Sequence, residues 1–240
     1  MIRKHIQEYL EKHLKKEINI VLSISGGIDS IVLLDILNKI NLSKRLTLIH
    51  FNYKTNKNSN KAELLCKQLS YKYANKFISE TIRITDSSVN FESVARDIRY
   101  NKLSSYAKEN NIDYIFTAHH RNDLIETLLM KHFDKSDWIS QIGIRQQQGN
   151  IIRPMLDITK DRISVYAKKN KLIWVEDLTN NNLKYRRNKL RKHIIPQILK
   201  DNPELLKKLI DNRINCMNKF NRTKEWINKN ISKYILEINS

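Results

Sequence analysis

The sequence predicts an α/β chain in which helices cover a parallel sheet, followed by a smaller all-α appendage. Three observations carry this. Short β-branched runs alternate with segments of helical apolar spacing through most of the chain. Half of the glycines, Gly26 and Gly27 of only 4, sit where the first run meets the first following helix. Near residue 183 the alternation stops and helical spacing alone continues. Regular βαβα alternation implies parallel strands with helices on both faces. A length of 240 residues accommodates one full-sized domain and an appendage. Only 4 Gly and 3 Pro disfavour a turn-dense all-β fold or a long linker.

The elements follow in order. Ile2, Ile6, Leu10 and Leu14 are spaced by four, a leading amphipathic helix within residues 1–17. Its acidic residues Glu8, Glu11 and Glu17, and the lack of an apolar stretch, do not fit a signal peptide. Residues 18–23 (INIVLS) form a first strand, and residues 30–40 carry a helical apolar pattern. Residues 46–51 (LTLIHF) read as a second strand and 60–73 as a helix. Residues 76–84 alternate like a third strand, and a helical face runs from Phe91 through Val94, Ala95, Ile98 and Leu103 to Ala107. Residues 113–118 (DYIFTA) form a fourth strand, continued by a helix containing Leu124, Ile125, Leu128 and Leu129. A fifth strand is expected over 150–155 and a helix over 159–170. The expected division is therefore 1–182 for the sheet domain and 183–240 for a basic helical region.

Charge points to a polyanion. The chain carries a net +19, and residues 183–240 hold 15 Lys/Arg against 5 Asp/Glu. A concentrated basic region is the usual electrostatic footprint of nucleic acid binding. Cys66 and Cys216 lie too far apart in sequence for a CxxC pair or zinc knuckle, which suits a reducing, cytoplasmic setting. No apolar run approaches the ~18 residues of a membrane span, so no membrane partner is expected.

In parallel sheets, ligands bind beyond the carboxyl ends of the strands. The first such end reads Ser25-Gly26-Gly27-Ile28-Asp29-Ser30. Paired glycines allow close backbone approach, and a helix N-terminus presents N–H groups to an anion. Ser25 and Ser30 add hydroxyls, and Asp29 is placed to hold Mg²⁺ between phosphates. The loop lacks the Lys-Ser/Thr of a Walker A motif. Four more clusters fall where the rule directs: His50-Phe51-Asn52-Tyr53; Glu92, Arg96, Arg99 and Tyr100; Thr117-Ala118-His119-His120 with Asp123, Glu126 and Thr127; and Trp174, Asp177, Thr179 and Asn180 before Arg186, Arg187, Asn188 and Arg191. Asp123 and Glu126 with the histidines could bind an amine, ligate a divalent metal or act as base.

SGGIDS resembles the SGGxDS loop of the N-type ATP pyrophosphatases, or PP-loop ATPases. Together with HFNY, ExxARxxRY, TAHHxxDxxET, RPML at 153–156, and WxxDxTN followed by RRNxLR, it resembles the tRNA(Ile)-lysidine synthetase family over residues 18–196. The resemblance implies a Rossmann-like PP-loop ATPase domain. It also implies a ligase that forms a C–N bond: ATP adenylates the ring carbonyl of the wobble cytidine in an isoleucine tRNA with a CAU anticodon, and free L-lysine displaces AMP.

The implied cofactors are ATP and Mg²⁺, the metal falling to Asp29. Residues Ser25 to Ser30, with His50, Asn52 and Arg99, would hold ATP. Asp29, His119, Asp123 and Glu126 would serve the chemistry, while Arg96, His120, Arg186, Asn188 and Arg191 would contact substrate or RNA. The partners are that tRNA and lysine, with a homodimer left open. Asn122 and Leu124 replace the family's usual Asp and Gln, and Tyr53 a common His. The alternatives are a sister tRNA thiolase, a non-catalytic RNA-binding protein with a relict nucleotide fold, and a small-molecule amidotransferase. A thiolase needs reactive cysteine near the site, and neither Cys66 nor Cys216 is so placed in sequence. An amidotransferase would need a glutaminase Cys-His arrangement, which the sequence lacks.

Overall fold

A computed structural model describes residues 2–15, 17–42, 45–84, 91–176 and 186–238, the last of these without side chains beyond 231. The chain divides into two compact units, one of residues 1–122 and 146–182, the other of 123–145 and 183–240. The expected boundary at 182/183 lies outside the described residues. Segment 123–145 groups with the C-terminal part, which a single linear boundary does not express.

The first unit opens with helix α1, Ile2–His13, which buries Ile2, Ile6 and Leu10 as their spacing requires. Strand β1 (Ile20–Ser23) leads to α2 (Ile28–Lys39), β2 (Leu46–Asn52) to α3 (Asn58–Lys72), and β3 (Lys76–Thr81) to α4 (Phe91–Glu109). Strand β4 (Tyr114–Phe116) then precedes α5 (Arg121–Phe133), which leaves this unit after Asn122. Two short strands, β5 (Gln147–Gln148) and β6 (Ile151–Ile152), and helix α6 (Lys160–Lys169) complete it. Among the described residues the sheet has six strands in the order β3-β2-β1-β4-β6-β5. All neighbours are parallel except β5 with β6.

The strands alternate as a two-faced buried sheet must. Ile20 and Leu22 of β1, Leu46 and Leu48 of β2, and Phe116 of β4 face one apolar cluster, with Ile31, Leu34, Cys66 and Ile163 from the helices. Val21, Ile49, Phe51 and Ile115 face the other, with Leu103 and Ala107 of α4. Buried Asp35 ties three helices together, accepting from the hydroxyls of Tyr73 (3.1 Å) and Tyr166 (2.8 Å) and pairing with Lys39 at 2.8 Å.

Two expected strands are shorter than their patterns. The third ends at Thr81, one hydrogen bond (Ile82 N–H to the Asn52 carbonyl, 2.9 Å) beyond which pairing stops. The fifth is a hairpin of two-residue strands instead of a strand over 150–155. Gly149, at φ +59°, reverses the chain, and Pro154 has no N–H to extend the ladder.

The second unit, among its described residues, contains the rest of α5, a 3₁₀ turn at Ser140–Ile142, α7 (Arg186–Lys189), a π-helical turn at Leu190–Ile194, α8 (Ile195–Asp201) and the 36-residue α9 (Pro203–Ile238). The Arg213 guanidinium of α9 donates to the carbonyls of Ile142 (3.0 Å) and Ile144 (3.1 Å). Arg145 stacks on Phe220, and Lys219 on Trp138. Aliphatic burial thus accompanies cation–π contacts in this arginine- and lysine-rich part.

Candidate functional site

The chain leaves β1, fills β2 and β3 on one side, and returns to place β4 on the other side of β1. The switch point therefore falls between β1 and β4, beyond whose carboxyl ends lie residues 24–30 and 117–120. This is where a parallel sheet opens a ligand crevice.

The Ser25–Ser30 loop is braced from within. The Ser30 hydroxyl donates to the Gly27 carbonyl (2.9 Å) and accepts from the Ser25 N–H (3.2 Å), and the Gly27 N–H donates to Ser25 Oγ (3.2 Å). Gly26 sits at φ +81°, and a Cβ there would lie 2.9 Å from Ala62 Cβ in α3. Gly26 is thus glycine for both conformation and space. Gly27 has φ −77° and ψ 160° as the N-cap of α2. A Cβ there would meet only Ser25 Oγ at 3.4 Å, so its bareness serves an open approach to the helix N-terminus. The Val175 N–H donates to the Gly26 carbonyl at 3.0 Å, which brings residues 172–176 to the loop.

Asp29 is the second residue of α2. Its Oδ1 lies 2.6 Å from Lys160 Nζ and 3.7 Å from His120 Nε2. Lys160 has no signature in the sequence by itself, since it lies 131 residues away at the start of α6. Its backbone N–H donates to Asn122 Oδ1 at 3.0 Å, and the Thr159 side chain caps the helix. Asn122, which departs from the usual Asp, retains the acceptor oxygen this contact uses.

His50 and Asn52 are buried, at 3% and 1% exposure. His50 Nδ1 meets the Ile24 carbonyl at 2.9 Å, with Cys66 Sγ at 3.8 Å. Burial lowers the His50 pKa below its ordinary value of 6.5, so the neutral ring donates from Nδ1. Asn52 accepts from the Lys54 N–H and donates to Glu63 and Asn60. These bonds engage both ends of its amide. Burial also pushes the Cys66 thiol up to about 12, the opposite of a sulfur nucleophile.

Around Tyr100 the first unit gathers cations. Arg153, 5% exposed, donates to the Tyr100 hydroxyl at 3.3 Å, and the Arg99 guanidinium lies 5.5 Å from the ring centroid. Burial raises the Tyr100 pKa, but Arg153, Arg99 and Arg96 together bring it below its ordinary value. Arg96 lies 3.5 Å from His119 Nε2, and His119 Nδ1 meets Thr117 Oγ1 at 2.9 Å. The Nδ1–H tautomer satisfies both contacts. Sequence reasoning named Arg96, Arg99 and His119 but not Arg153. Arg153 stands in the sequence as the first residue of RPML, where no role is assigned to it.

In the second unit Arg191 grips Glu126 bidentately, at 2.8 and 3.0 Å, and lies 3.7 Å from Asp123. The Glu126 side chain is 1% exposed, and burial raises its pKa despite the guanidinium. The expected acid–amine cluster and the expected RNA-binding arginine are thus partners of one another. Arg186 pairs with Asp134 at 2.7 Å on the surface, and Asn188 is buried at 6%. Asp177, Thr179 and Asn180 lie outside the described residues.

A metal has limited protein support. Among the described residues no cluster of three or more His, Cys, Asp or Glu side chains is arranged to hold one. Asp29 is a single carboxylate at the loop, which fits Mg²⁺ that arrives with phosphate oxygens supplying its other ligands.

A parallel α/β sheet with a glycine loop feeding a helix N-terminus at its switch point defines a nucleotide-phosphate-binding protein. The chain belongs to the PP-loop domain family, which matches residues 1–198. It is 33% identical over 240 residues to the tRNA(Ile)-lysidine synthase of Haemophilus ducreyi, covering 98% of this chain and 54% of that protein. It is 32% identical to that of Mesoplasma florum, covering 94% and 57%, and 31% identical to that of Thermotoga maritima, covering 77% and 46%. The chain thus spans about half the length of the curated relatives it matches. Among solved structures, the U34-tRNA thiolase NcsA of Methanococcus maripaludis superposes with a TM-score of 0.70 at 16% identity, covering 90% of this chain and 78% of that one. The NH3-dependent NAD synthetase of Campylobacter jejuni gives 0.51 at 15%, covering 90% and 92%. At such identities the likeness is one of fold. Among the described residues no helix is long and apolar enough to cross a membrane.

Proposed function

We propose that the chain is an ATP-dependent tRNA(Ile)-lysidine synthetase, a cytoplasmic ligase acting on the wobble cytidine of a CAU-anticodon isoleucine tRNA with free L-lysine. The observation that carries this reading is the SGGIDS loop at the β1/β4 switch point, in a chain about a third identical to proteins named tRNA(Ile)-lysidine synthase.

The first step forms a bond from the cytidine ring carbonyl oxygen to the α-phosphorus of ATP, and the bond to pyrophosphate breaks with its electron pair. In the second, the neutral lysine ε-amine attacks the activated ring carbon, AMP departs with the electron pair of the C–O bond, and one amine proton passes to solvent, leaving a C–N bond whose nitrogen keeps one N–H. The N–H groups at the start of α2 and the Ser25 hydroxyl are assigned to phosphate oxygens, and Ser30, whose hydroxyl braces Gly27 and Ser25, shapes the loop around them. Mg²⁺, when bound, supplies charge neutralisation at the phosphates, with Asp29 as the protein's ligand. His50 acts through the Ile24 carbonyl that leads into the loop, and Asn52 through its bonds to Lys54, Asn60 and Glu63. Arg96, Arg99 and His120 are assigned to phosphate and substrate, and Arg186, Asn188 and Arg191 to RNA. Asp123 and Glu126, which already hold a guanidinium, are suited to holding the lysine ammonium, and His119 to orienting the reacting groups. The buried Cys66, with its raised thiol pKa, supports an amine nucleophile over a sulfur carrier.

Pyrophosphate release from ATP, measured with CAU-anticodon isoleucine tRNA with and without radiolabelled lysine, tests the proposal. Release that requires this tRNA, with label entering the RNA, is expected, and Asp29→Ala removes it while the protein still folds. Release with other RNAs or with a sulfur donor instead would move the activity to a sister family.

A further inference from the structure

We propose that Lys160 is a phosphate-contacting residue that pairs with Asp29 before nucleotide arrives and transfers its ammonium to the pyrophosphate oxygens when ATP binds. This deepens the ATP reading of the loop and rests on it, but not on the identity of the RNA.

Lys160 Nζ sits 2.6 Å from Asp29 Oδ1, one residue inside the N-terminus to which the phosphates are assigned. Its side chain is 36% exposed and that of Asp29 28%, so water and ligand reach both. A part-exposed pair of this kind contributes little to stability, which leaves it easily exchanged. The stem, by contrast, is fixed. The Lys160 N–H is held by Asn122 Oδ1 at 3.0 Å, the Arg121 N–H by the Ile158 carbonyl at 2.9 Å, and Thr159 caps the helix. A rigid base under a flexible four-carbon arm lets the ammonium move while its origin stays at the loop.

The exchange follows from charge. Asp29 would be the carboxylate to hold a metal bound to the phosphates, and Lys160, its partner otherwise, would then have phosphate oxygens beside it. The ammonium offsets the negative charge that gathers on pyrophosphate as its bond to the α-phosphorus breaks. The loop lacks the lysine that a Walker A motif carries in its own sequence. Lys160 supplies that cation from another helix.

Calorimetric titration of Mg–ATP, Mg–pyrophosphate and AMP into the wild type, Lys160→Gln and Lys160→Arg tests this. In Lys160→Gln, ATP and pyrophosphate affinity should fall at least about tenfold, the scale of one charge-assisted hydrogen bond. AMP affinity should stay within about twofold, and Lys160→Arg should recover part of the loss, because its cation remains. Unchanged pyrophosphate affinity in Lys160→Gln overturns the proposal, and so does an equal fall for all three ligands with a lowered melting temperature. A wild type that binds neither ATP nor pyrophosphate overturns the ATP reading and this assignment together. A wild type that binds both but modifies no isoleucine tRNA sinks the lysidine reading alone, and the Lys160→Gln comparison still decides the assignment.

Discussion

Gly26 and Gly27 are adjacent and chemically identical, yet the fold asks different things of them. At φ +81°, with Ala62 Cβ 2.9 Å from the place an alanine Cβ would take, Gly26→Ala meets both backbone strain and a clash with α3. Left-handed strain alone costs about 1–2 kcal/mol. Urea denaturation should place Gly26→Ala at least that far below the wild type and Gly27→Ala within about 1 kcal/mol, since only a serine oxygen opposes the latter. Equal destabilisation would refute the loop geometry. His50 gives a pH signature. Its folded pKa lies below the unfolded 6.5, so its contribution to stability is full above about pH 6.5 and is lost as pH falls toward the folded value. The urea midpoint should drop on acidification from about pH 8 to about pH 5. His50→Asn, which retains a donor for the Ile24 carbonyl, should flatten that drop. The sequence marked His50 and both glycines alike, but only packing distinguished the residues that form the loop from the one that braces it.

Among elements, helix starts carry much of the site. The N-terminus of α2 presents the loop, and that of α6 presents Lys160, whose backbone is held by Asn122 at the start of α5. Asn122→Ala removes one part-buried hydrogen bond and should cost about 1 kcal/mol. Asn122→Asp keeps the acceptor oxygen and should melt within a few degrees of wild type. A loss as large as that of the alanine variant would show that the amide nitrogen matters instead. Period-two and period-3.6 patterns made β1 to β4 and helices α1 to α6 legible, with most ends shifted by one to three residues. The fifth strand was not legible as a hairpin, because its turn depends on one glycine's φ and its paired segments are two residues long.

For the whole molecule, charge is the controlling quantity. A chain of net +19 whose last 58 residues carry 15 basic side chains should bind RNA with strong salt dependence. Arg191 is held by Glu126 and Arg186 by Asp134, and Arg187, Lys189 and the exposed lysines of α8 and α9 add to them as cations for phosphate. Three phosphate contacts, at about 0.7 to 0.9 each in the logarithmic slope, give a roughly 20- to 40-fold fall in affinity between about 50 and about 200 mM salt. Titration of labelled tRNA at several salt concentrations checks this, and a flat profile would remove RNA from the basic region.

The sequence by itself determined the α/β class, the position of the Ser25–Ser30 loop between strand and helix, and the basic character of the tail. Each of these is written in local pattern: strand and helix periodicity, two glycines at one junction, and a count of charges. Tertiary structure decided what no local pattern contains. It paired Lys160 with Asp29 across 131 residues and Arg191 with Glu126 across 65. It also turned His50 and Asn52 inward and placed a buried arginine against Tyr100. The physical reason is that charge partners and burial are set by which segments, distant in sequence, the packing of strands and helices brings together.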